Sequence, residues 1–538
     1  MWLRNLVFVA ICLAAVAGAS NALLSSPEPI EPTHFRPGQF QSSEFRDVVQ
    51  AVNREFQQDW LETDLSPTDK APALIVCRRL SLALTGTVPS LEEIRAIELQ
   101  SDDNQIQWWL SRLFEDRRSS DYLAERLARA LVGTEVGPFL VYRRRRFVSW
   151  LADQLQENVP YDQLVRALIA DTGLWTDSPA VNFVTVTLDQ NGDEQPDEIR
   201  LARRVSRAFL GVRLDCVQCH DDQLNGQWLQ ADFHQLAAFF SEARQSLTGI
   251  HDRPRDYEYK YLDAEAAELV PCKVPFESKL LPPNGSRRQR LGGWVTHRDN
   301  RAFSRATVNR IWALMFGVPL VEPIDHIPLE GPYPAGLETL GVEFVRSNYD
   351  LRRLIRVIAA TDVFQQDSRA EHELTSVHEA HWATFPVTRL RPEQIAGGLL
   401  QAASLHTIDA RSHILVRLAR GLREDEFVQR YGDTGEDEFA SHGGTIPQRL
   451  LMMNGQLVQE KTKDNLIGNA STRIAVLAPD DATAVETAYL ATLSRRPTPD
   501  EMKHFKERLA ETADERRKQT MEDFYWSLLN SAEFSWNH

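Results

Sequence analysis

From about residue 71 onward, apolar residues recur at intervals of three and four, which predicts a succession of amphipathic α-helices. Two helix starts are clearly marked: Ser90 with Glu93 forms a capping-box pattern, and 498–501 places Pro at the first helical position. Strand-like alternation is scarce apart from 181–188. The predicted fold class is mainly α, with two helical domains joined by an irregular linker.

The N-terminus has the pattern of a secretory signal peptide. A short, weakly positive stretch precedes the apolar run Leu6 to Val16, and small residues follow at 17–19. The predicted organisation is a signal peptide at 1–22, a flexible leader at 23–65 and a first helical domain at 66–245. A linker at 246–288 and a second helical domain at 289–538 complete it, because 245–290 is rich in Pro, Arg, Asp and Tyr without clear period.

The predicted export sets the expected location, and the net charge argues against some classes of partner. No run after the signal peptide approaches the length of a membrane span, so no transmembrane segment is predicted after cleavage. The expected location is the periplasm or another extracytoplasmic compartment. A net charge of −16 and a pI near 5.4 argue against nucleic acid and anionic membrane surfaces as partners.

The chemistry of the chain centres on Cys216-Val217-Gln218-Cys219-His220, its single Cys-x-x-Cys-His sequence. This spacing is typical of covalent haem c attachment, since two thiols three positions apart can reach both vinyl groups of a haem. The alternatives are a redox dithiol, half of a zinc site, a structural disulfide or a chance pattern. Haem c is attached outside the cytoplasm, so the predicted export and the motif agree.

The motif assigns a role to each of its residues if haem is bound. Cys216 and Cys219 are the predicted thioether anchors, and His220 is the predicted proximal ligand of the iron. His234 and Met453 are weak candidates for the distal position, and each has a simpler structural explanation: a surface or capped histidine for His234 and a core methionine for Met453. Cys12 lies inside the signal peptide. Cys77 and Cys272 are then left, either as one disulfide or as two buried thiols.

A second cluster of titratable residues lies at 372–381. His378 and His381 are three positions apart and would share a helix face, but the His-Glu-x-x-His spacing of zinc peptidases is absent. An acidic, solvated stretch with incidental histidines is the favoured interpretation. No nucleophile elbow, phosphate loop or dinucleotide fingerprint occurs, so no hydrolase or transferase signature marks the chain as an enzyme.

Several stretches in both halves resemble a planctomycete-type family of exported proteins. In that family a cytochrome-c-associated domain of unknown function precedes a second domain of unknown function. The matching stretches run in the family's order over most of 71–538: 78–89, 158–162, 209–212, 216–221, 232–240, 308–317, 320–323, 448–455 and 528–534. The resemblance implies an exported, mostly helical protein with a haem motif. The family commonly continues Cys-His-Asp-His, whereas Asp222 stands at the second His position here.

Three functional hypotheses follow. The first is an exported c-type haem protein that transfers electrons to or from an unidentified redox partner. The second is a non-redox secreted scaffold or accessory protein for polysaccharide or surface processing, with Cys216 and Cys219 as a disulfide or another metal site. The third, which is disfavoured, is a metal-dependent hydrolase that uses the histidines of 372–381.

Overall fold

The computed structural model describes residues 2, 4–10, 31–134, 142–188, 195–222, 228–261, 264–409, 412, 414–432, 445–466 and 468–538. The prediction of a mainly α fold is confirmed, because helices account for most of this part of the chain. Its strands are short and pair in antiparallel twos: Ala243–Ser246 with Gly249–Asp252, Glu258–Tyr259 with Glu268–Leu269, and Thr388–Arg389 with Trp536–Asn537. Of residues 181–188, where the sequence alternates like a strand, 181–185 are helical and 186–188 form a turn.

Helices follow one another along both halves of the chain. Up to residue 240, the longer ones are Ser43–Glu62, Ala73–Thr85, Leu91–Glu98, Gln105–Glu115, Arg117–Val132, Arg144–Gln156, Tyr161–Ala170, Glu198–Leu210 and Gln230–Ala237. Beyond residue 280 they are Arg287–Val295, Arg301–Phe316, Leu337–Arg346, Leu351–Ala360, Pro392–Ala402, Ile414–Tyr431, Ile446–Asn454, Gln456–Thr462, Ala470–Leu477, Asp481–Leu493, Pro499–Ala510 and Asp514–Leu529. Short helices are Pro37–Phe40, Asn182–Thr185, Asp362–Gln365, Ser376–Ala380 and Ala532–Ser535.

The hydrophobic residues form two main cores. The larger core runs from Phe45 to Phe385, and at its centre the helix Arg301–Phe316 is buried over nearly all of its length. The second core is built mostly from residues 390–534. The predicted linker at 246–288 therefore does not separate two cores, because helices on both sides of it pack into the larger one.

The predicted linker is also more ordered than its composition indicates. Ile250 is fully buried, and its backbone exchanges two hydrogen bonds with Gly173 at 2.8 and 2.9 Å. Arg288 is fully buried as well and donates to the Asp252 carboxylate at 2.7 Å. Prolines and charged residues hide these contacts in the sequence, since the partners lie far away along the chain.

The predicted leader at 23–65 requires a correction. Residues Ser43–Glu62 form a helix that buries a narrow apolar stripe in the larger core: Phe45, Val52, Phe56 and Trp60. The ring of Phe56 stacks on Trp312 with centroids 5.9 Å apart. The stripe is narrow and its neighbours are polar, so composition alone favours a leader there.

The apolar run near the N-terminus is only partly described. Residues 4–10 are helical and exposed, and the predicted cleavage site at 17–22 lies outside the described residues. Within the described ranges, no helix combines the length and the apolar character that crossing a bilayer requires.

Candidate functional site

The Cys-x-x-Cys-His motif lies on a short turn between two helices. The helix Glu198–Leu210 ends at Gly211, whose φ of 63° is left-handed, and Cys216–Gln218 then forms one turn of 3₁₀-helix. Val217 is buried in the larger core, whereas Cys216 and Cys219 are exposed. Side chains three positions apart eclipse each other in an ideal 3₁₀-helix, and Cys216 and Cys219 stand three positions apart, at the start and the C-cap of this turn, so we infer that the two thiols share one side of it.

The imidazole of His220 is oriented by its neighbour. Its Nδ1 lies 2.8 Å from the backbone carbonyl of Asp221. A carbonyl oxygen only accepts, so Nδ1 carries the proton and donates it, which leaves Nε2 as the basic nitrogen. Metal-ligating histidines are commonly held in this way, with one nitrogen donating to a carbonyl and the other free for the metal.

Two thiols on one side of a turn and an adjacent imidazole with a basic Nε2 fit the attachment chemistry of haem c. The fit rests on the donor set: Cys216, Cys219 and His220 are all exposed. The other two cysteines are unlike them. Cys77 is fully buried and Cys272 half-buried, and burial raises the pKa of both thiols above the ordinary value. The four cysteines that the structure describes are all free thiols.

The helix Gln230–Ala237 fastens the motif turn. The backbone N–H of Gln230 donates to the Asp221 carboxylate at 2.7 Å, so Asp221 satisfies one of the unpaired donors at the helix start. The side-chain amide of Gln230 donates to the Gln218 carbonyl at 3.1 Å. Asp222 donates its N–H to the Trp228 carbonyl at 2.9 Å. Three contacts therefore join the segment 218–222 to the residues at 228–230.

His234, one of the two distal-ligand candidates, lies against this turn and is fully buried. Both of its ring nitrogens have partners: Nε2 lies 3.0 Å from the Gln218 carbonyl and Nδ1 lies 3.0 Å from the Tyr257 hydroxyl. Burial lowers the pKa of the imidazole below its ordinary value, although the hydrogen bond to Gln218 opposes the shift. Ligation of a metal by His234 would require one of these hydrogen bonds to break.

The other candidate, Met453, lies with a different part of the fold. It follows Met452, which is buried in the second core, and its own side chain is about one-third exposed. Its carbonyl accepts a hydrogen bond from Trp526 at 3.2 Å. The motif turn, in contrast, packs through Val217 into the larger core. Ligation by either candidate stays a prediction.

The histidines of 372–381 contact each other and nearby residues, and the rings of His372 and His378 lie 5.5 Å apart between centroids. His381 shares a hydrogen bond with the Asp59 carboxylate at 2.8 Å, while His378 accepts from the backbone N–H of Thr375 at 3.2 Å. Across the described part of the chain, no three His, Cys, Asp or Glu side chains are grouped so that they could hold a metal ion. These contacts agree with a solvated stretch whose histidines cap and tether local structure.

Two family models match the chain in sequence order. PSCyt2, a protein of unknown function (DUF1549), matches residues 51–245, and PSD1, a protein of unknown function (DUF1553), matches residues 287–413. The chain belongs to the planctomycete-type family with this two-domain arrangement. No curated protein and no solved structure matches it. The Cys-x-x-Cys-His motif lies near the end of the PSCyt2 region.

The PSD1 region holds the segment that leads into the motif through the contacts of Asp325, which we call the brace at Asp325. Asp325 is buried and accepts hydrogen bonds from Arg207 at 2.5 Å and from Arg213 at 2.7 Å. Arg207 also pairs with Asp215, directly before the first cysteine, at 3.4 Å. Burial raises the pKa of Asp325, but the two guanidinium groups outweigh it and hold the pKa below its ordinary value.

Sequence reasoning identified the motif but missed the residues that hold it. Asp325 lies 112 residues from Arg213, and no spacing rule connects them. No sequence signal marks Gln230 or Tyr257 either, because neither belongs to a recognised motif. The one available signal was the proximity of His234 to the motif, which made it a weak distal-ligand candidate; in the structure His234 hydrogen-bonds to the Gln218 carbonyl.

Proposed function

We propose that the protein is an exported c-type haem-binding protein and that its role is electron transfer. The observation that carries the proposal is the motif turn itself, in which Cys216 and Cys219 are both exposed and stand three positions apart, at the start and the C-cap of one 3₁₀ turn. The adjacent His220 presents a basic Nε2, because its Nδ1 donates to the Asp221 carbonyl. The predicted signal peptide supports the proposal, since haem c is attached outside the cytoplasm.

Each residue of the turn has a role under this proposal. Cys216 and Cys219 would hold the haem through thioether bonds, and His220 would be the proximal ligand. The bound group supplies one-electron redox chemistry. The chain supplies the rest: Asp221 orients the His220 ring, and the buried Val217 holds the turn against the larger core. The brace at Asp325 holds the segment that leads into the motif, through Arg207 and Arg213.

The proposed role is that of an electron carrier. The two aspartates that flank the motif have structural partners: Asp221 accepts from the backbone N–H of Gln230, and Asp215 pairs with Arg207. The partner is an unidentified redox protein in the same compartment. The alternative, a secreted scaffold in which Cys216 and Cys219 form a disulfide or bind another metal, is tested by the same experiment.

The decisive experiment is the intact mass of the mature protein after expression in a host with cytochrome c maturation machinery. We expect the parent to gain one haem mass and to show a Soret band that survives denaturation and acid-acetone extraction. The variant with Cys216→Ser and Cys219→Ser should gain none. Cys272→Ser is the matched control, because it removes a half-buried thiol outside the motif and should leave the haem in place.

The outcomes separate the hypotheses. A well-folded parent without haem would overturn the electron-transfer proposal. A mass lower than that of the reduced chain by two hydrogen atoms, restored by a reductant, would support the disulfide of the scaffold alternative. A redox titration of the haem-loaded parent follows, since the axial ligands and the burial of the group set its potential.

A further inference from the structure

The buried imidazole of His234 hydrogen-bonds to the motif turn, although His234 is not one of the motif residues. Its Nε2 lies 3.0 Å from the carbonyl of Gln218, which stands between the two cysteines. Its Nδ1 lies 3.0 Å from the hydroxyl of Tyr257. Tyr257 lies just before the strand Glu258–Tyr259, so one ring joins the motif turn to a hairpin further along the chain.

The partners of His234 define its tautomer. A carbonyl oxygen has no proton to give, so Nε2 must carry the proton and donate it to Gln218. Nδ1 is then the acceptor, and the Tyr257 hydroxyl donates to it. Every hydrogen-bonding group of the imidazole is therefore used, and neither nitrogen has a lone pair directed at an empty site.

The orientation of the ring is fixed by packing as well as by hydrogen bonds. The Tyr259 ring stacks on His234 with centroids 3.4 Å apart and planes inclined by 20°. Phe233 and Tyr261 contact it edge-on, at 5.4 and 5.8 Å between centroids. The imidazole therefore cannot turn away from the Gln218 carbonyl without displacing several aromatic side chains.

The Gln218 carbonyl is held from two sides. It accepts from His234 and, at 3.1 Å, from the side-chain amide of Gln230. The amide of Gln230 also donates to the Tyr259 hydroxyl at 3.3 Å, so the ring that stacks on His234 belongs to the same network. A carbonyl with two donors has both lone pairs occupied, and the peptide unit that it belongs to is fixed.

We propose that His234 is a positioning residue: it holds the Gln218 carbonyl so that the thiols of Cys216 and Cys219 share one side of the turn before anything is attached to them. The need for such a residue follows from exposure. Both cysteines and His220 face solvent, and within the turn only Val217 is anchored by burial. A turn with so little packing depends on hydrogen bonds from outside to keep its shape.

This role differs from that of a distal ligand, which would need a free ring nitrogen. It deepens the proposed function, because a preformed dithiol turn favours attachment by reducing the ordering that attachment requires. The geometry of the turn is nevertheless a property of the chain without haem. The inference can therefore be tested on protein made without maturation machinery, independently of the haem proposal.

A pair of isosteric amide variants isolates the proposed role. In His234→Gln the side-chain nitrogen occupies the place of Nε2 and can still donate to Gln218. In His234→Asn the nitrogen occupies the place of Nδ1 and cannot reach it. A purely structural role, as a buried polar side chain, would not distinguish the two in this direction.

The measurement is amide hydrogen exchange at residues 216–222 of the haem-free protein, with the helix Arg301–Phe316 as an internal reference for global folding. We expect His234→Asn to speed exchange in the turn about tenfold, as the loss of a buried hydrogen bond implies, and His234→Gln to remain within about twofold of the parent. Binding of phenylarsine oxide, which bridges two thiols, should weaken in the same order.

Tyr257→Phe tests the same hydrogen-bond network from the other side of the His234 ring. If His234→Asn fails to fold, Tyr257→Phe removes only the donor to Nδ1 and should speed exchange in the same turn; Tyr333→Phe, which loses a hydroxyl bonded to the Leu329 carbonyl, is its control. Equal exchange in the Asn and Gln variants would overturn the inference. So would an unchanged turn together with an altered haem spectrum in His234→Asn, since that result identifies a ligand.

Discussion

Arg78 donates a hydrogen bond from Nη1 to the backbone carbonyl of Thr492 at 3.0 Å and so joins the two hydrophobic cores. Its helix, Ala73–Thr85, packs mainly into the larger core, whereas Thr492 belongs to Asp481–Leu493 in the second. The neighbouring Arg79 donates to the carbonyls of Phe364 and Gln366 at 2.9 and 2.7 Å. The two arginines are fully buried, and burial lowers their pKa values to about 10 and about 9.

The first prediction concerns Arg79. Arg79→Met keeps most of the side-chain length but removes the donors, so we expect the free energy of unfolding to fall by about 3 to 5 kcal/mol as buried carbonyls lose their partners. Urea unfolding at neutral pH measures the change. Arg54→Met, on the exposed face of Ser43–Glu62, should cost less than about 0.5 kcal/mol. Equal midpoints for the two variants would contradict the assigned role.

Local signals in the sequence predicted helix boundaries well. The capping box at Ser90 is present, with hydrogen bonds in both directions to Glu93 at 2.8 and 3.1 Å. Gly211 ends the helix before the motif, as its position predicts. These signals involve residues only a few positions apart, whose geometry the helix itself defines.

Long-range contacts could not be predicted from these local signals. Arg78 and Arg79 were noted only as part of a family-like stretch, because nothing local indicates that they are buried against carbonyls beyond residue 360. The helix Ser43–Glu62 was missed because its buried stripe is narrow. The motif was recognisable because its chemistry requires adjacent residues, but its supports at Asp325 and Tyr257 come from elsewhere in the chain.

The second prediction concerns the brace at Asp325. Asp325→Asn removes the charge that pairs with Arg207 and Arg213, and we expect it to lower the free energy of unfolding at pH 7 by about 1 to 3 kcal/mol. The folded pKa of Asp325 lies below the ordinary 3.8, so the carboxylate contributes stability above pH 3.8 and loses it as pH falls through the folded value.

Urea midpoints of Asp325→Asn and the parent should therefore differ at pH 7 and converge in strong acid. Asp47→Asn provides the control, because Asp47 is exposed on the helix Ser43–Glu62. Its midpoint should follow the parent at every pH. A difference for Asp325→Asn that stays constant on acidification would show that the carboxylate charge is not what stabilises the brace.

The third prediction is a pH dependence at the contact of His406 with Glu92, which joins the helix Leu91–Glu98 to the segment after Pro392–Ala402. His406 donates a hydrogen bond to the Glu92 carboxylate, and this bond raises the pKa of His406 above 6.5. Burial raises the pKa of Glu92, but hydrogen bonds from His406 and Thr407 bring it below 4.5. The histidine contribution is complete below pH 6.5 and is lost as pH rises through its folded pKa.

The carboxylate contribution is complete above pH 4.5 and is lost as pH falls through the folded pKa of Glu92. His406→Gln should therefore lower Tm most between pH 4.5 and pH 6.5, and the deficit should shrink toward alkaline pH. Thermal unfolding across the pH range measures it, with His504→Gln on an exposed helix face as the control. A deficit that grows toward alkaline pH would contradict the charged pair.

The fourth prediction compares two glycines. Gly211 has a φ of 63°, and a Cβ there would lie 2.9 Å from Cδ1 of Ile327, whose backbone N–H donates to the Gly211 carbonyl at 2.7 Å. Gly421 lies within the helix Ile414–Tyr431, with no heavy atom near the position of an added Cβ. Alanine should therefore have opposite effects at the two positions.

Gly211→Ala forces a residue with a side chain into the left-handed region and against Ile327, which should cost at least about 1 to 2 kcal/mol. Gly421→Ala should raise stability by up to about 1 kcal/mol, because alanine is the better helix former. Differential scanning calorimetry of both variants checks the two signs. If Gly211→Ala left Tm unchanged, the chain would tolerate a side chain in the left-handed region beside Ile327, and neither the backbone conformation nor this close contact would require a glycine at residue 211.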